Sequence, residues 1–334
     1  MTHLGFAAVV PVMVVIACGG GAPRGTTAVA PEAVPSTVAE RMLAMLPQGA
    51  QVVVELDLAR LRENPVIGEI VTRALSDRTV ELPAGVPAPP LAAADQVVLA
   101  AYGVGTAEAA TLTVLAARHD VAGATQIADG FYVVGPPAWV EQVQARVALA
   151  TTGEARFAIH AAPELLELRR HAVPANAPGA SLRIAARLSF DARLALARQT
   201  GLDAAPAQLS AWGDVADDLV LVVDCDATDP GNRPVGRHGS DAPRRLAAAL
   251  RGVLAAVSEQ PIVRALGLPS SLAGARLAAH GSWVRTIIAI GPAHLRRVVE
   301  RARVLLRDLG SETPSHPEAR PTPPAITPRG DHAS

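Results

Sequence analysis

The spacing of apolar residues along the chain predicts an ordered series of strands and helices. Valine density and alternation predict a strand over residues 51–58, and the pattern that follows predicts a helix over 61–75. Upstream, Thr37 and Glu40 are spaced as a capping box, which begins a short helix that ends at Leu46. Further strands are predicted at 97–101, 112–116 and 131–134, and an amphipathic helix over 138–149.

Three patterns recur in the same order in the two halves of the chain. The matching pairs are 54–61 with 186–196, 94–103 with 216–225, and 133–147 with 289–304. The last pair shares a Gly-Pro break between a strand and a helix, and proline is suited to the first helical position. This order predicts an α+β fold of two tandem repeats, each a mainly antiparallel sheet packed with helices. The repeats are predicted at 37–150 and 178–308, joined by a bridging segment, 151–177, with a helix over 163–170.

The N-terminus carries an apolar run, residues 6–17, that is too short to span a membrane as a helix. The run ends in Val-Ile-Ala ahead of Cys18. Small or aliphatic residues before a cysteine resemble the lipobox of bacterial lipoproteins, which implies a signal peptide over 1–17 and acylation of Cys18. The leader departs from that pattern because it contains no Lys or Arg. Residues 18–36, dominated by Gly, Ala, Pro and Thr, are then the lipidated cysteine and a flexible tether.

The residues after Cys18 bear on the location of the protein. Two glycines follow it, and no Asp stands there to imply retention at the inner membrane. By resemblance to the enterobacterial sorting rule, we expect a cell-envelope protein anchored by lipid to the outer membrane, facing the periplasm or the cell surface. The strand-first opening of the body and its Gly-Pro helix starts look like envelope lipoproteins of myxobacterial type. That likeness implies architecture and location only.

Composition excludes several classes of chemistry. The chain has 334 residues and a net charge of −1, which gives no electrostatic basis for binding nucleic acid. It contains no Lys, so Walker-type phosphate loops and Ser–Lys nucleophile pairs are excluded. Aromatic residues make up 3 %, which leaves few rings for stacking on sugars or single-stranded nucleic acid. We therefore expect no cofactor, and we expect the membrane and another envelope protein as partners.

An acidic cluster formed by Asp224, Asp226 and Asp229 is the one candidate for a metal site. Its spacing fails the EF-hand pattern, which leaves a looser divalent-ion site or a strand that ends in an Asx-type turn. The cluster opens an insertion, 224–243, that is predicted to be an exposed loop. Cys225 lies between two of the carboxylates, which disfavour a thiolate, so we interpret it as a structural cysteine.

The helix that begins at Pro292 carries a row of cationic side chains beside an apolar stripe. The candidate contacts for an anionic surface are Arg296, Arg297, Arg301 and Arg303. One interpretation is an ordinary solvated helix face, and the other is a patch for anionic lipid headgroups or an acidic partner. The remainder of the chain, 309–334, is Pro-rich and polar and is predicted to be disordered.

Catalytic motifs give little support for an enzyme. The sequence has no G-x-S-x-G nucleophile elbow, and its nine His show no zinc-ligand spacing. His280 and Ser282, in a predicted turn, are the first place to look for catalysis. We expect a non-enzymatic, lipid-anchored envelope protein that binds or organises a partner. The alternatives are a carrier or sensor of a small apolar ligand between the two repeats, and a hydrolase whose residues converge from distant positions.

Overall fold

The computed structural model describes residues 37–76, 88–151, 163–174, 177, 179–200, 205–227 and 242–311. The leader, Cys18 and the tether lie outside these residues, as do Asp229, most of the predicted loop 224–243 and the tail from residue 312. Within the described ranges, no helix combines the length and the apolar character needed to cross a bilayer.

The first half of the chain forms five helices and five strands among its described residues. They are α1 (Val38–Met45), β1 (Val52–Asp57), α2 (Leu58–Glu63), α3 (Gly68–Ser76), α4 (Ala88–Ala93), β2 (Gln96–Tyr102), β3 (Ala110–Ala116), β4 (Thr125–Ala128), β5 (Phe131–Val134) and α5 (Pro137–Thr151). The predicted capping box of α1 is confirmed. The Thr37 hydroxyl accepts a hydrogen bond from the Glu40 N–H, and the Glu40 carboxylate accepts one from the Thr37 N–H.

The second half continues with helix α6, which lies between the halves, and a further set of strands and helices. They are α6 (Pro163–His171), β6 (Leu182–Arg187), α7 (Phe190–Thr200), β7 (Gln208–Val215), β8 (Leu219–Asp226), α8 (Ala242–Ser258), α9 (Pro261–Leu266), α10 (Pro269–Ala273), β9 (Arg276–His280), β10 (Trp283–Ile290) and α11 (Pro292–Ser311).

The single helix predicted over 61–75 is wrong, because the structure has two helices there, α2 and α3. Asn64 and Pro65 separate them, and a residue that precedes proline is disfavoured in helical backbone. Asn64 instead stabilises the break. Its side-chain oxygen accepts hydrogen bonds from the Val66 and Ile67 N–H groups at 2.9 and 3.1 Å.

The ten strands form one sheet in the order β4-β5-β3-β2-β1-β6-β7-β8-β10-β9, and all neighbours are antiparallel. The predicted α+β class with antiparallel strands is confirmed. A separate sheet for each repeat is not what the structure has, because β1 and β6 pair directly, with Val54 opposite Ile184. We call this pairing the seam.

The strand order is the same on both sides of the seam: β1-β2-β3-β5-β4 on one side and β6-β7-β8-β10-β9 on the other. Two of the three sequence matches lie at corresponding places, β1–α2 with β6–α7 and β5–α5 with β10–α11. The third match, 94–103 with 216–225, pairs β2 with β8, although β7 is the strand in the corresponding place. The corresponding helices α5 and α11 also pack on opposite faces of the sheet.

Helices cover both faces of the sheet. On the face that carries Val53, which we call the front face, α1 and α5 pack over the strands of the first half, and α6 packs over β6 and β7. On the back face, α8, α9 and α10 cover the strands of the second half, and α2 and α4 cover those of the first. Ala185 and Trp283 belong to the second half yet lie in the front-face core of the first. A continuous apolar core therefore crosses the seam.

Candidate functional site

The sheet ends in two edge strands, β4 and β9, which differ in regularity. β4 has four residues and a register shift between Gln126 and Ala128, a bulge that disrupts the outer ladder. β9 is regular along its length, and within the described residues it pairs only with β10. Four of its five residues are exposed. β9 has neither the bulge nor the proline that commonly protects an edge, and within the described residues no strand pairs with its outer side, so it is the candidate edge for strand addition.

A two-residue turn decides which main-chain groups of β9 face outward. The turn, Gly281-Ser282, brings His280 opposite Trp283, and Gly281 has a φ of 63° that favours glycine. The pair that closes such a turn exchanges main-chain hydrogen bonds, and the following pairs alternate. The N–H and C=O groups of Leu277 and Ala279 therefore point away from β10. Within the described residues, no main-chain hydrogen bond engages these groups.

The front-face side chains of β9 are polar at both ends and small in the middle. Arg276 and His280 lie on either side of Ala278, and all three are exposed. In register with Ala278, β10 carries Arg285. The turn predicted at His280 and Ser282 is present, and no hydrogen bond joins these two side chains in the described part of the chain. They do not form a catalytic pair there.

Next to this edge, a buried carboxylate holds two side chains from distant segments. Asp224 on β8 has a side chain only 1 % exposed. Arg285 binds it through two hydrogen bonds of 2.7 and 2.5 Å, which raise the pKa of the guanidinium. His171, at the end of α6, places Nδ1 2.9 Å from Asp224 Oδ2 and stacks on Trp283 with ring centroids 4.2 Å apart. The cluster ties α6 to the second half of the sheet.

This arrangement changes the interpretation of the acidic cluster. Asp224 and Asp226 lie inside β8 and not in a turn, and Asp229 lies outside the described residues. Both oxygens of Asp224 are engaged by protein groups, so that carboxylate is not open to a divalent ion. Among the described residues, no three potential ligands come together as a metal site.

Cys225 is a core residue, as the sequence indicated, but for a different reason. Successive side chains of a strand point to opposite faces, so the carboxylates of Asp224 and Asp226 lie on the other side of the sheet. The thiol packs in the back-face core and is fully buried. The thiol is inaccessible to reactants because it is buried, and not because of the neighbouring charges.

The orientation of His171 resembles that of a general base. An ionised carboxylate only accepts hydrogen bonds, so Nδ1 donates to Asp224. In the described part of the chain nothing is hydrogen-bonded to Nε2. Among the described residues, however, no hydroxyl or thiol is hydrogen-bonded to His171 as a nucleophile. Ser210, opposite Asp224 on β7, is fully buried, and its hydroxyl accepts a hydrogen bond from the Ala172 N–H. The cluster therefore supports α6 and offers no complete catalytic set.

A second histidine does contact a hydroxyl. His294 on α11 places Nδ1 3.1 Å from Ser271 Oγ and Nε2 2.8 Å from the carbonyl oxygen of Gly267. The carbonyl only accepts, so Nε2 carries the proton and Nδ1 accepts from the Ser271 hydroxyl. The same contacts hold the α9–α10 turn against α11, and the guanidinium of Arg301 lies over Gly267. The pair can act either as a structural brace or as a Ser–His dyad.

The predicted arginine patch on α11 is divided between two roles. Arg296, Arg297 and Arg301 are exposed on the helix surface. Arg303 is not available to a partner, because its guanidinium forms ion pairs with Glu69 on α3 and with Glu300. Arg303 therefore holds α11 against α3, and neither interpretation describes it. The other three side chains remain candidates for an anionic surface.

Comparison with known proteins gives no assignment. No family model matches the chain, and no curated protein matches it. Among solved structures, the chain is similar to one titled "Structure of crystal form I of TP0453", with 9 % sequence identity and a TM-score of 0.38. The match covers 79 % of this chain and 97 % of that one. At that TM-score the likeness carries no argument about fold or function.

Sequence reasoning missed His171, Arg285 and His294, because each meets its partner across the fold and not along the chain. One signal was available. Asp224 follows the apolar run 219–223, and a carboxylate in a buried strand requires a cationic or hydrogen-bonding partner. The sequence cannot say which arginine or histidine supplies it.

Proposed function

We propose that this protein is a lipid-anchored protein of the bacterial cell envelope that binds a partner protein by adding a strand to β9. The observation that carries the binding role is the regular edge of β9, where the main-chain groups of Leu277 and Ala279 face outward. Strand addition to such an edge gives affinity through main-chain hydrogen bonds. The leader and Cys18 support the location.

The binding role is tested by removing one outward N–H. Ala279→Pro deletes it and leaves the β9–β10 hydrogen bonds in place, whereas the control Ala279→Val keeps the N–H in a good strand former. From detergent-solubilised envelopes, wild type and Ala279→Val are expected to capture the same protein, with affinity reduced about tenfold in Ala279→Pro. Binding must also slow hydrogen exchange at Leu277 and Ala279. The proposal is contradicted if Ala279→Pro captures the protein as well as wild type does and if binding does not slow hydrogen exchange at Leu277 and Ala279.

The lipid anchor is tested separately. Cys18→Ser removes the acylation site, and we expect the protein to move from the membrane to the soluble periplasmic fraction, because the anchor is the proposed link to the bilayer. Cys225→Ala is the matched control, because it replaces the other cysteine and keeps Cys18. Fractionation followed by immunoblotting reads the outcome. If Cys18→Ser associates with the membrane as much as wild type does, the anchor at Cys18 is excluded. In the same fractionation, wild type is expected to be enriched in the outer membrane.

We also infer that the body is a duplicated unit, with repeats at 37–150 and 178–308. The common strand order on either side of the seam supports this, together with the two sequence matches at corresponding places. The opposite packing of α5 and α11 means that the copies have diverged in how they use their last helix. Superposition of the Cα atoms of β1–β5 on β6–β10 tests the idea. Strands that cannot be superposed in that order contradict it.

A hydrolase is the second candidate, favoured by the hydrogen bond between Ser271 and His294. A serine whose proton is accepted by an oriented histidine can attack an acyl or phosphoryl centre. A fluorophosphonate probe on the full chain distinguishes the two roles. Labelling of Ser271 that is lost in both Ser271→Ala and His294→Gln supports the dyad, whereas an unlabelled wild type leaves the pair as a brace.

A further inference from the structure

The side chains of β9 specify the chemistry of the strand that would join it, an inference that rests on the proposed function. On the front face, Arg276 and His280 stand four residues apart with Ala278 between them, and all are exposed. In the described part of the chain, neither Arg276 nor His280 forms an ion pair. Residues directly opposite each other on neighbouring strands interact through their side chains. The partner positions beside Arg276 and His280 therefore favour carboxylates.

A second copy of this chain fits the edge poorly. Two β9 strands that pair in antiparallel fashion through their outward groups place Leu277 of each copy opposite Ala279 of the other. That register sets Arg276 against His280 twice. Arginine beside histidine supplies no opposite charge, so neither pair forms an ion pair in this register. Charge complementarity therefore favours a different protein with acidic residues at these positions.

The middle position of the partner strand has a different requirement. Ala278 is small, and its neighbour on β10, Arg285, has a side chain 43 % exposed. The Arg285 guanidinium is turned toward Asp224 on β8, away from this edge. A large side chain opposite Ala278 can therefore cover the surface that the small alanine leaves open, and an aromatic ring buries the most apolar area there. On the back face, Leu277 and Ala279 favour β-branched neighbours.

We propose that the partner of β9 is an extended segment with the pattern acidic, β-branched, aromatic, β-branched, acidic. The pattern is the same when it is read in either direction, so it fits β9 in parallel or antiparallel orientation. Main-chain hydrogen bonds to Leu277 and Ala279 supply affinity, and the two carboxylates select the partner.

Synthetic peptides on the full chain test this chemistry. A labelled peptide with the core Glu-Val-Phe-Val-Glu is compared with versions carrying Gln or Arg in place of both Glu, by fluorescence anisotropy at low salt. The Glu peptide is expected to bind about fivefold tighter than the Gln peptide, and the Arg peptide to bind weakest. The preference must shrink as salt is added, because exposed ion pairs are screened. Replacing Phe with Ala in the Glu peptide is expected to weaken binding about threefold, because the ring no longer covers Ala278.

A charge reversal in the protein supplies the decisive comparison. Arg276→Glu is expected to bind the Arg peptide more tightly than the Glu peptide, and Arg198→Glu, an exposed arginine on α7, keeps the wild-type order. If the Glu, Gln and Arg peptides bind equally well and Ala279→Pro weakens all of them, the acidic pattern is wrong, although strand addition is still supported. No peptide binding, with no slowed exchange at Leu277 and Ala279, overturns both. If the protein forms a concentration-dependent dimer that Ala279→Pro abolishes, the strand that pairs with β9 comes from a second copy of this chain, and the proposed acidic pattern is wrong.

Discussion

At the scale of single residues, charges inside this fold are held by partners from distant segments. Asp214 on β7 accepts two hydrogen bonds from Arg60 on α2, at 2.8 and 2.6 Å, and one from Ser181 at 2.8 Å. Burial alone would raise the pKa of the Asp214 carboxyl, but the hydrogen bonds from Arg60 and Ser181 outweigh it, so the pKa lies below its usual value. The ionised carboxylate is thus part of the folded structure, and it links the two halves.

Asp214→Asn is expected to lower the free energy of unfolding by about 1–3 kcal/mol at pH 7, because it removes a hydrogen-bonded charge. A carboxyl with a lowered folded-state pKa contributes stability above its unfolded pKa, about 3.9, and loses it as the pH falls through the folded value. The difference from wild type should therefore be constant from pH 7 to about pH 5 and narrow below about pH 4. Urea titrations at several pH values measure it.

Asp217→Asn, at an exposed position of the same turn region, is the control and should change stability by less than about 0.5 kcal/mol. If the difference in unfolding free energy between wild type and Asp214→Asn stays constant down to pH 2, the charge of Asp214 does not contribute to stability and the proposed pH dependence is wrong.

At the scale of elements, most strands could be predicted because their apolar residues are continuous or alternate. β7 could not, because Ser210, Gly213 and Asp214 interrupt its pattern. In the structure each has a local reason: Ser210 and Asp214 are satisfied by hydrogen bonds, and Gly213 lies close to Leu182 and Leu221 on the flanking strands. These contacts join residues far apart in the chain, and periodicity holds no information about them.

The break between α2 and α3 gives a prediction about an element boundary. Besides binding the Val66 and Ile67 N–H groups in the turn before α3, Asn64 donates hydrogen bonds of 2.9 and 3.0 Å to the carbonyls of Val215 and Ala216. Asn64→Ala leaves those two acceptors and two turn N–H groups without their partner, so we expect a loss of about 2–4 kcal/mol in the free energy of unfolding. Chemical denaturation measures the loss. The exposed neighbour variant Glu63→Ala should stay within about 0.5 kcal/mol of wild type, and equal effects of the two changes contradict the role of Asn64.

At the scale of the whole molecule, the sequence predicted the α+β class and the antiparallel strands but not how the strands assemble into one sheet. The continuous sheet depends on β1 meeting β6, two strands separated by more than a hundred residues. Any edge strand with an apolar face can pair with another, so no local pattern selects this one. Helix α6 completes the assembly on the front face, where Arg169 binds Glu55 of the first half and His171 binds Asp224 of the second.

Because the core and α6 cross the seam, the two halves are expected to unfold together. Two variants, one that keeps only Trp139 and one that keeps only Trp212, report the unfolding of the two halves by fluorescence. Trp139 packs in the first half, next to Tyr102, and Trp212 lies in the second. In each variant the fluorescence transition in urea should coincide with the far-UV circular dichroism transition, the mark of a single cooperative unit.

A distant core mutation makes this test stronger. Leu112→Ala in the fully buried front-face core of the first half should cost about 2–5 kcal/mol. If the halves are one unit, the midpoint that Trp212 reports falls as far as the midpoint that Trp139 reports, although Trp212 belongs to a different apolar cluster. Phe190→Ala, at a side chain 74 % exposed, is the control and should leave both midpoints in place. A Trp212 midpoint that does not respond to Leu112→Ala means that the seam joins two independently stable domains, and the partner strand at β9 then binds a unit that folds without the first half.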